Sequence, residues 1–262
     1  MVTESLKFFD LRKRIVSALF FTALSTAAIS IGGLITAIFL TTCVFVLVWE
    51  LFNICNEEKF KLFSLQLIII VLVSVGPLLQ FYNYYPIIAL LFSSLVSLAF
   101  KEGRLIKFLC IIYIGISVFL FQNILLSHSG EDPRLTILLI VLIVVSSDVG
   151  GYFFGRVVGG AKILIKVSPK KTWSGSLGGV FLAIIVCISL NQLLNYPTSY
   201  IIFLAICLSI SAQIGDLFES SIKRYFKVKD SGFLLPGHGG LFDRLDGLLA
   251  AIPIYALINT FY

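Results

Sequence analysis

Two acids, a hydroxyl and two cations recur along one short stretch, as Asp216, Glu219, Ser220, Lys223 and Arg224. Steps of three and four put all five on one face of a helix, with the acids at one end and the cations at the other. Downstream, Pro236-Gly237-His238-Gly239-Gly240 leads into Leu-Phe-Asp243-Arg244-Leu-Asp246. Glycines permit positive φ and close backbone approach, and the amides opening a helix favour anions. Asp243 and Asp246, three apart on that helix, make a candidate carboxylate cluster with Asp216. Such a group repels itself unless it holds cations, and oxygen-only ligands favour magnesium, which keeps waters and bridges substrate phosphates. A self-neutralising stripe on the one segment, and a headgroup-level hydrogen bond from His238 on the other, are the plainer alternatives. Acids suited to a metal, cations suited to phosphates and a glycine turn together point to phosphate-transfer chemistry.

Two further blocks carry polar groups. In "SSDVGGYFFGRVVGG", residues 146–160, Asp148 falls within an apolar run. An ionised carboxylate at the bilayer centre costs about 2.5–3.5 kcal/mol on insertion scales, so Asp148 should face a polar cavity or a partner. Gly155 and Gly160 have the spacing of a phosphate loop, but Ala161-Lys162 follows where Gly-Lys-Ser/Thr is required, so no Walker motif is present. Gly155 and Gly159 are read instead as helix-packing positions. In "SPKKTWSG", residues 168–175, Lys170 and Lys171 offer point charges for phosphates, and Trp173 suits the headgroup boundary. Pro169 should end extended chain or begin a helix.

The elements that must position these groups follow from composition. Of 262 residues, 58% are hydrophobic and 13% charged, with a mean hydropathy of +1.02. Soluble domains run near 45–50% apolar and about 25% charged, so this chain lacks a polar shell. Apolar runs of about 20 residues span the hydrocarbon layer as helices. The expected fold is therefore all-α, a polytopic helical membrane protein of about nine spans: 14–31, 33–53, 62–80, 86–100, 106–126, 135–157, 175–194, 199–223 and 241–262. Period-two alternation, the mark of a membrane β-barrel, is absent. With the N-terminus in the cytoplasm, every lysine and arginine of the 20 except Arg134 falls on an inside segment, as the positive-inside rule asks. The net charge of +6 then reports topology and anionic headgroups rather than nucleic acid. Cys43, Cys55, Cys110, Cys187 and Cys207 lie in or beside apolar segments without a CxxC pair, which suggests buried thiols. The chain reads as one membrane domain, 1–262, in which residues 1–126 are mainly scaffold and 135–262 hold the catalytic spans and loops. Lys107, on an inside loop outside the motifs, is expected to be dispensable.

The pattern S-x-x-K-R-x4-K-D-S-G-x-x-x-P-G-H-G-G-x-x-D-R-x-D, from Ser220 to Asp246, resembles the signature of the phosphatidate cytidylyltransferases, the CDP-diacylglycerol synthases. "SDVGGYFFGR" and "SPKKTWSG" fit the same family, so the resemblance covers nearly the whole chain. Departures are Ser174 where the family commonly has Glu, Phe242 where it has Leu, and Gly247 where it has a small hydroxyl residue. The resemblance implies that CTP and phosphatidate give CDP-diacylglycerol and pyrophosphate with a magnesium ion, and a second cation is open. It implies catalytic roles for Lys223, Arg224, Asp243, Arg244 and Asp246. Substrate would meet Lys170, Lys171, Ser220, Lys229, His238, Gly239 and Gly240. Asp216, Glu219, Asp243 and Asp246 would hold metal, with Asp148 and Asp230 in supporting positions.

Rivals within the same chemistry are ether-lipid cytidylyltransferases and CTP-dependent polyprenol or phytol kinases. A kinase must activate an alcohol, which asks for a general base. A transporter would more often show inverted repeats and broken helices at the midplane, and no internal repeat is apparent. The expected partners are CTP, phosphatidate and membrane lipids, not nucleic acid. The small-residue pairs Gly155/Gly159 and Gly175/Gly179 leave a homodimer open. The expected location is the bacterial inner membrane, with the polar loops on the cytoplasmic side.

Overall fold

A computed structural model of the protein describes residues 2–55, 91, 94–99, 103–127, 132–194, 196–234 and 239–261, with side chains from residue 16 onward except 193. Among the described residues the long helices are α1 (Val2–Ile31), α2 (Gly33–Ile54), α3 (Arg104–Leu126), α4 (Pro133–Val157), α5 (Trp173–Leu194), α6 (Thr198–Tyr225) and α7 (Phe242–Phe261), with one hairpin, β1 (Lys162–Leu164) and β2 (Ser168–Thr172). Seven of the expected spans coincide with these helices to within a few residues, apart from an earlier start for α1. The expected span 62–80 lies outside the described residues, as does most of 86–100.

Five of the helices are long and apolar enough to cross a membrane: α2, α3, α4, α6 and the Trp173–Gln192 stretch of α5. The all-α membrane architecture is thus the one the chain adopts. Large apolar side chains face outward along these helices, among them Phe45, Leu138, Val149, Phe181 and Ile214. In water such a surface would be a liability, whereas hydrocarbon suits it.

The described chain forms two compact units. One is Met1–Phe119 with Phe226–Arg244, and the other is Leu120–Tyr225 with Leu245–Tyr262. The second is built around a dry core in which Ile140, Ile143, Cys187, Ile201, Leu204, Leu208 and Ala251 are buried. Its most extensive helix contact, α4 on α5, is made by glycines. A Cβ on Gly150 would come 2.6 Å from the Gly178 carbonyl oxygen and 3.0 Å from the Gly179 Cα. One on Gly175 would lie 2.6 Å from the Gly151 oxygen. The backbones therefore touch, as small-residue packing in membranes requires. Gly155 belongs to this seam, but Gly159 does not. It lies beyond the end of α4 at φ +67, next to Gly160 at φ +105, and a Cβ on it would meet nothing. Together the two glycines end the helix and turn the chain into the hairpin.

The hairpin is where the fold departs from a pure helix reading. Its strands pair antiparallel, Lys162 with Thr172 and Leu164 with Ser168, and Trp173 N–H donates to the Ala161 carbonyl at 3.0 Å to close its base. Strands of three and five residues are too short to impose a period on the sequence. Pro169 sits inside β2, tolerated because a two-stranded ribbon has only edges.

In the other unit, α1 and α2 are joined at Gly32 and Gly33, both at positive φ, and Thr36 Oγ1 donates to the Ala28 carbonyl across the joint at 2.6 Å. Lys107 corrects an expectation. It stands in the first turn of α3, not on a loop, and is 0% exposed. Its Nζ lies 5.1 Å from the centroid of the Phe52 ring. A buried ammonium over an aromatic face is part of the packing. Cys43, Cys55, Cys110 and Cys187 are buried and Cys207 is half-buried, and none of the five is in a disulfide.

Candidate active site

The stripe on α6 forms as its spacing requires. Asp216 is half-buried and receives two side chains: Ser220 Oγ donates to Oδ1 at 3.2 Å, and Lys171 Nζ sits 2.5 Å from Oδ2. One turn on, Glu219 and Lys223 are both buried and paired at 3.0 Å. A lone buried charge is expensive, and the pair offsets that cost within one helix. Glu219, a candidate metal ligand or a partner that orients a cation, is paired here with Lys223. Arg224 is exposed at the end of α6, where its Nε donates to the Val167 carbonyl at 3.3 Å and ties the hairpin tip to the helix. The hairpin thus brings Lys171 to α6, with Lys170 exposed beside it.

Asp246 completes this polar region. Its Oδ1 accepts from Gly247 N–H at 2.7 Å, and it feels the charges of Asp216, Asp148 and Lys223. Asp148, although within an apolar run, is exposed and lies within electrostatic reach of Asp246. The approach of α7 to α6 depends on Gly215, where a Cβ would be 2.5 Å from the Asp246 carbonyl oxygen. Gly215 was not singled out from sequence, although it immediately precedes Asp216.

A polar knot, also missed, locks the helices that carry these acids. Ser147 and Ser209 hydroxyls lie 2.7 Å apart. Gln213 Nε2 donates to Ser147 Oγ at 3.2 Å and to the Ser176 carbonyl at 3.2 Å, while Ser176 Oγ donates to Gln213 Oε1. These side chains join α4, α5 and α6 next to Asp148 and one turn before Asp216. Buried polar groups that satisfy one another fix a single register of the helices. The signal available in sequence was only a scatter of hydroxyls and one Gln in apolar runs.

The remaining motif residues belong to the unit containing α2. Asp243, half-buried in the first turn of α7, accepts at Oδ2 from Ser231 N–H at 3.0 Å and from Gly240 N–H at 2.9 Å. Gly239 turns the chain there at φ +87, and a Cβ on it would be 2.6 Å from Asp243 Oδ2. Lys229, Asp230 and Arg244 are exposed. Pro236, Gly237 and His238 lie outside the described residues. Glu50 of α2, which sequence reasoning placed in scaffold, accepts from Leu241 N–H at 2.8 Å, Phe242 N–H at 2.8 Å and Ser231 Oγ at 3.0 Å.

Among the described residues no three His, Cys, Asp or Glu side chains stand close enough to hold a metal ion unaided. Magnesium asks for less, since it is usually bound through one or two carboxylates plus waters and phosphates. The donor set around Asp246 is oxygen-only, and its acids outnumber the cations that face it, which fits a hard divalent ion.

Comparisons with known proteins place the chain in a family. Residues 12–262 match the model of the cytidylyltransferase family. This chain belongs to the cytidylyltransferase family. A protein of Staphylococcus aureus (strain COL) named phosphatidate cytidylyltransferase is 32% identical over 241 residues, 87% of this chain and 90% of that one. A protein of the same name from Brucella suis biovar 1 is 44% identical over 136 residues, 51% of this chain and 50% of its own. The chain thus spans about half the length of the Brucella relatives it matches. Within the family pattern, the three departures are accommodated locally. Ser174 Oγ donates to the Gly159 carbonyl, which braces the start of α5 against the hairpin entry. Phe242 is fully buried. Gly247 sits where a Cβ would meet Val144 Cγ1 at 3.1 Å and Ala212 Cβ at 3.3 Å, so this chain's packing favours the smaller residue.

Proposed function

We propose that the protein is a phosphatidate cytidylyltransferase, transferring the cytidylyl group of CTP to phosphatidate to give CDP-diacylglycerol and pyrophosphate. The observation that carries this reading is Asp246 in the company of Asp216 and Asp148, with Lys223 on α6 and Lys171 brought to Asp216 from β2. A surplus of acid beside ammonium groups suits a substrate that is itself a polyphosphate carrying a divalent cation. The relatives' names favour the same reading.

In the reaction a phosphate oxygen of phosphatidate attacks the α-phosphorus of CTP, and the bond from that phosphorus to the bridging oxygen of the β-phosphate breaks, releasing pyrophosphate. The nucleophile is already ionised at neutral pH, so no general base is needed. What the protein must supply is alignment of two mutually repelling anions and neutralisation of the charge that builds on the leaving group. Lys223, held by Glu219, and Arg224, held at the hairpin tip, are pre-aimed donors for that charge. Lys171 and Lys170 serve it from β2, and Arg244 and Lys229 are exposed cations of the signature suited to the same work. Ser220, through Asp216, keeps that carboxylate facing Lys171. Asp216 and Asp246 are the residues that would hold magnesium. When bound, the ion would neutralise phosphate oxygens and bring attacking and leaving groups into line. The clustering of cations on inside segments supports a cytoplasmic face of a bacterial inner membrane as the place where soluble CTP and the membrane-bound lipid meet.

The test uses purified protein in detergent with magnesium and CTP, offered phosphatidate or a long-chain polyprenol. Label from the α-phosphate should enter the lipid fraction with phosphatidate and only with metal. Transfer of γ-label to the alcohol, with none from the α-position, would replace this reading with a kinase.

A further inference from the structure

The chemistry above asks nothing of α2, yet α2 carries one charged residue among its 22, Glu50, and that residue is 0% exposed. A buried carboxylate in a spanning helix is costly unless its oxygens are fully engaged. Here both oxygens are engaged by one target. Oε1 accepts from Leu241 N–H and Oε2 from Phe242 N–H, each at 2.8 Å, and Oε2 also accepts from Ser231 Oγ at 3.0 Å.

The two amides open α7. The first amides of a helix have no partner within it, and the end they form carries partial positive charge, so a carboxylate is the acceptor best suited to them. The hydroxyl belongs to the other end of the loop that Asp243 also bridges, since Asp243 accepts from Ser231 N–H and Gly240 N–H. Two carboxylates therefore pin the neck of the segment running from Ser231 to Gly240, one from within the motif and one from α2. The glycines of the neck record the same contact. A Cβ on Gly232 would come 2.8 Å from Glu50 Oε1, and one on Gly240 would come 2.5 Å from Oε2 and collide with Ser231 Oγ. Two signature positions thus leave no room for a side chain because the carboxylate of Glu50 lies against them.

We propose that Glu50 is a positioning residue for catalysis. It caps α7 and ties Ser231 to the start of that helix, and so sets the direction in which Asp243 and Arg244 leave its first turn. Glu50 touches no reacting atom. Its effect belongs to kcat, because misaligned Asp243 and Arg244 lose transition-state contacts before they lose ground-state binding.

Glu50→Gln is the first variant. It keeps size and shape but replaces one acceptor oxygen with an NH2 group that must face an amide donor, or the Ser231 hydroxyl, of the same neck. The expected result is a kcat lower by about a hundredfold, with KM for CTP and for phosphatidate within about threefold of the wild type. Amide hydrogen exchange should speed up at Leu241 and Phe242 while the middle of α2 stays protected. Ser231→Ala removes one of the three bonds without touching α2, so it reads the clamp even if Glu50→Gln inserts poorly. It should lower kcat by about tenfold alone and add little on Glu50→Gln, as expected of partners in one interaction. Wild-type kcat in both variants, or unchanged exchange at Leu241 and Phe242, would overturn the assignment. The kinetic arm rests on the cytidylyltransferase reading, whereas the exchange arm reads the clamp itself. If phosphatidate proves not to be the substrate, exchange alone still decides the structural part.

Discussion

Asp216, four residues ahead of the Ser220–Asp246 signature, and Asp243, within it, are both half-buried, but they are held by different kinds of partner. Asp216 is gripped by side chains: the Lys171 ammonium at 2.5 Å and the Ser220 hydroxyl at 3.2 Å. Asp243 is gripped at Oδ2 by the backbone, through the amides of Ser231 and Gly240. A lysine on a four-carbon stem can move aside, exchange its carboxylate for a phosphate and return. Two amides in a loop neck cannot move without moving the chain. Asp216 is thus held by side chains that can let it go, while Asp243 does structural work with one oxygen. Residues that look equivalent in sequence can therefore divide electrostatic and architectural roles.

The largest expected effect lies at Asp246, which shares its turn of helix with Asp243 and its charge environment with Asp216. Asp246→Asn removes charge and almost no volume, so turnover should fall by about a thousandfold or more while membrane insertion is unchanged. Label transfer to phosphatidate and detergent extraction of the folded protein check both halves, and retained turnover would remove Asp246 from the chemistry.

Next come the two compared residues. Asp243→Ala leaves two amides at the loop neck without their acceptor and should lower stability by about 1–3 kcal/mol. Asp216→Ala removes a partly exposed ion pair worth about 0–1 kcal/mol. Chemical denaturation of the two variants in the same detergent measures the contrast, and equal losses would break it. Lys171→Met should cost about tenfold in turnover, with stability within about 1 kcal/mol of the wild type. A large loss of stability there would mean that Lys171 is a fixed strut.

A glycine pair, with no effect on the chemistry expected, tests whether backbone contacts set the geometry elsewhere too. Gly150→Ala presses a methyl onto the backbone of α5 and should cost about 1–3 kcal/mol. Gly151→Ala, whose Cβ would rest 3.6 Å from the Gly175 oxygen, should change stability by no more than about 0.5 kcal/mol. Thermal melts of the pair sharpen the reading of the α4–α5 seam. Equal behaviour would mean that the helices are not in backbone contact.

What the sequence made legible follows from the range of the interactions. Runs of apolar residues are local, so α2 to α7 emerge with boundaries close to those observed. The α6 stripe is also local: steps of three and four place Asp216 beside Ser220, and Glu219 beside Lys223. The hairpin was not legible, because its alternation is too short and its glycine turn too generic. Lys107 looked like a loop cation because its burial depends on Phe52, more than fifty positions away in the chain. Glu50 and the knot of Ser147, Ser176, Ser209 and Gln213 were hidden for the same reason. Each draws its meaning from partners tens of residues or more away, and no periodicity records such a pairing. Gly159 was assigned to helix packing by its spacing from Gly155, whereas its positive φ puts it in the turn that ends α4.

Whether the acids of α6 and α7 hold a divalent ion is best settled by metal binding itself. Manganese, a spectroscopically visible substitute for magnesium, can be titrated into the purified protein in the presence of CTP and followed by electron paramagnetic resonance. The wild type should bind the ion, and Asp246→Asn should lose most of that binding while remaining folded. Equal manganese binding by the variant and the wild type would contradict the assignment of Asp246 to the metal and require the carboxylate cluster to serve some other purpose.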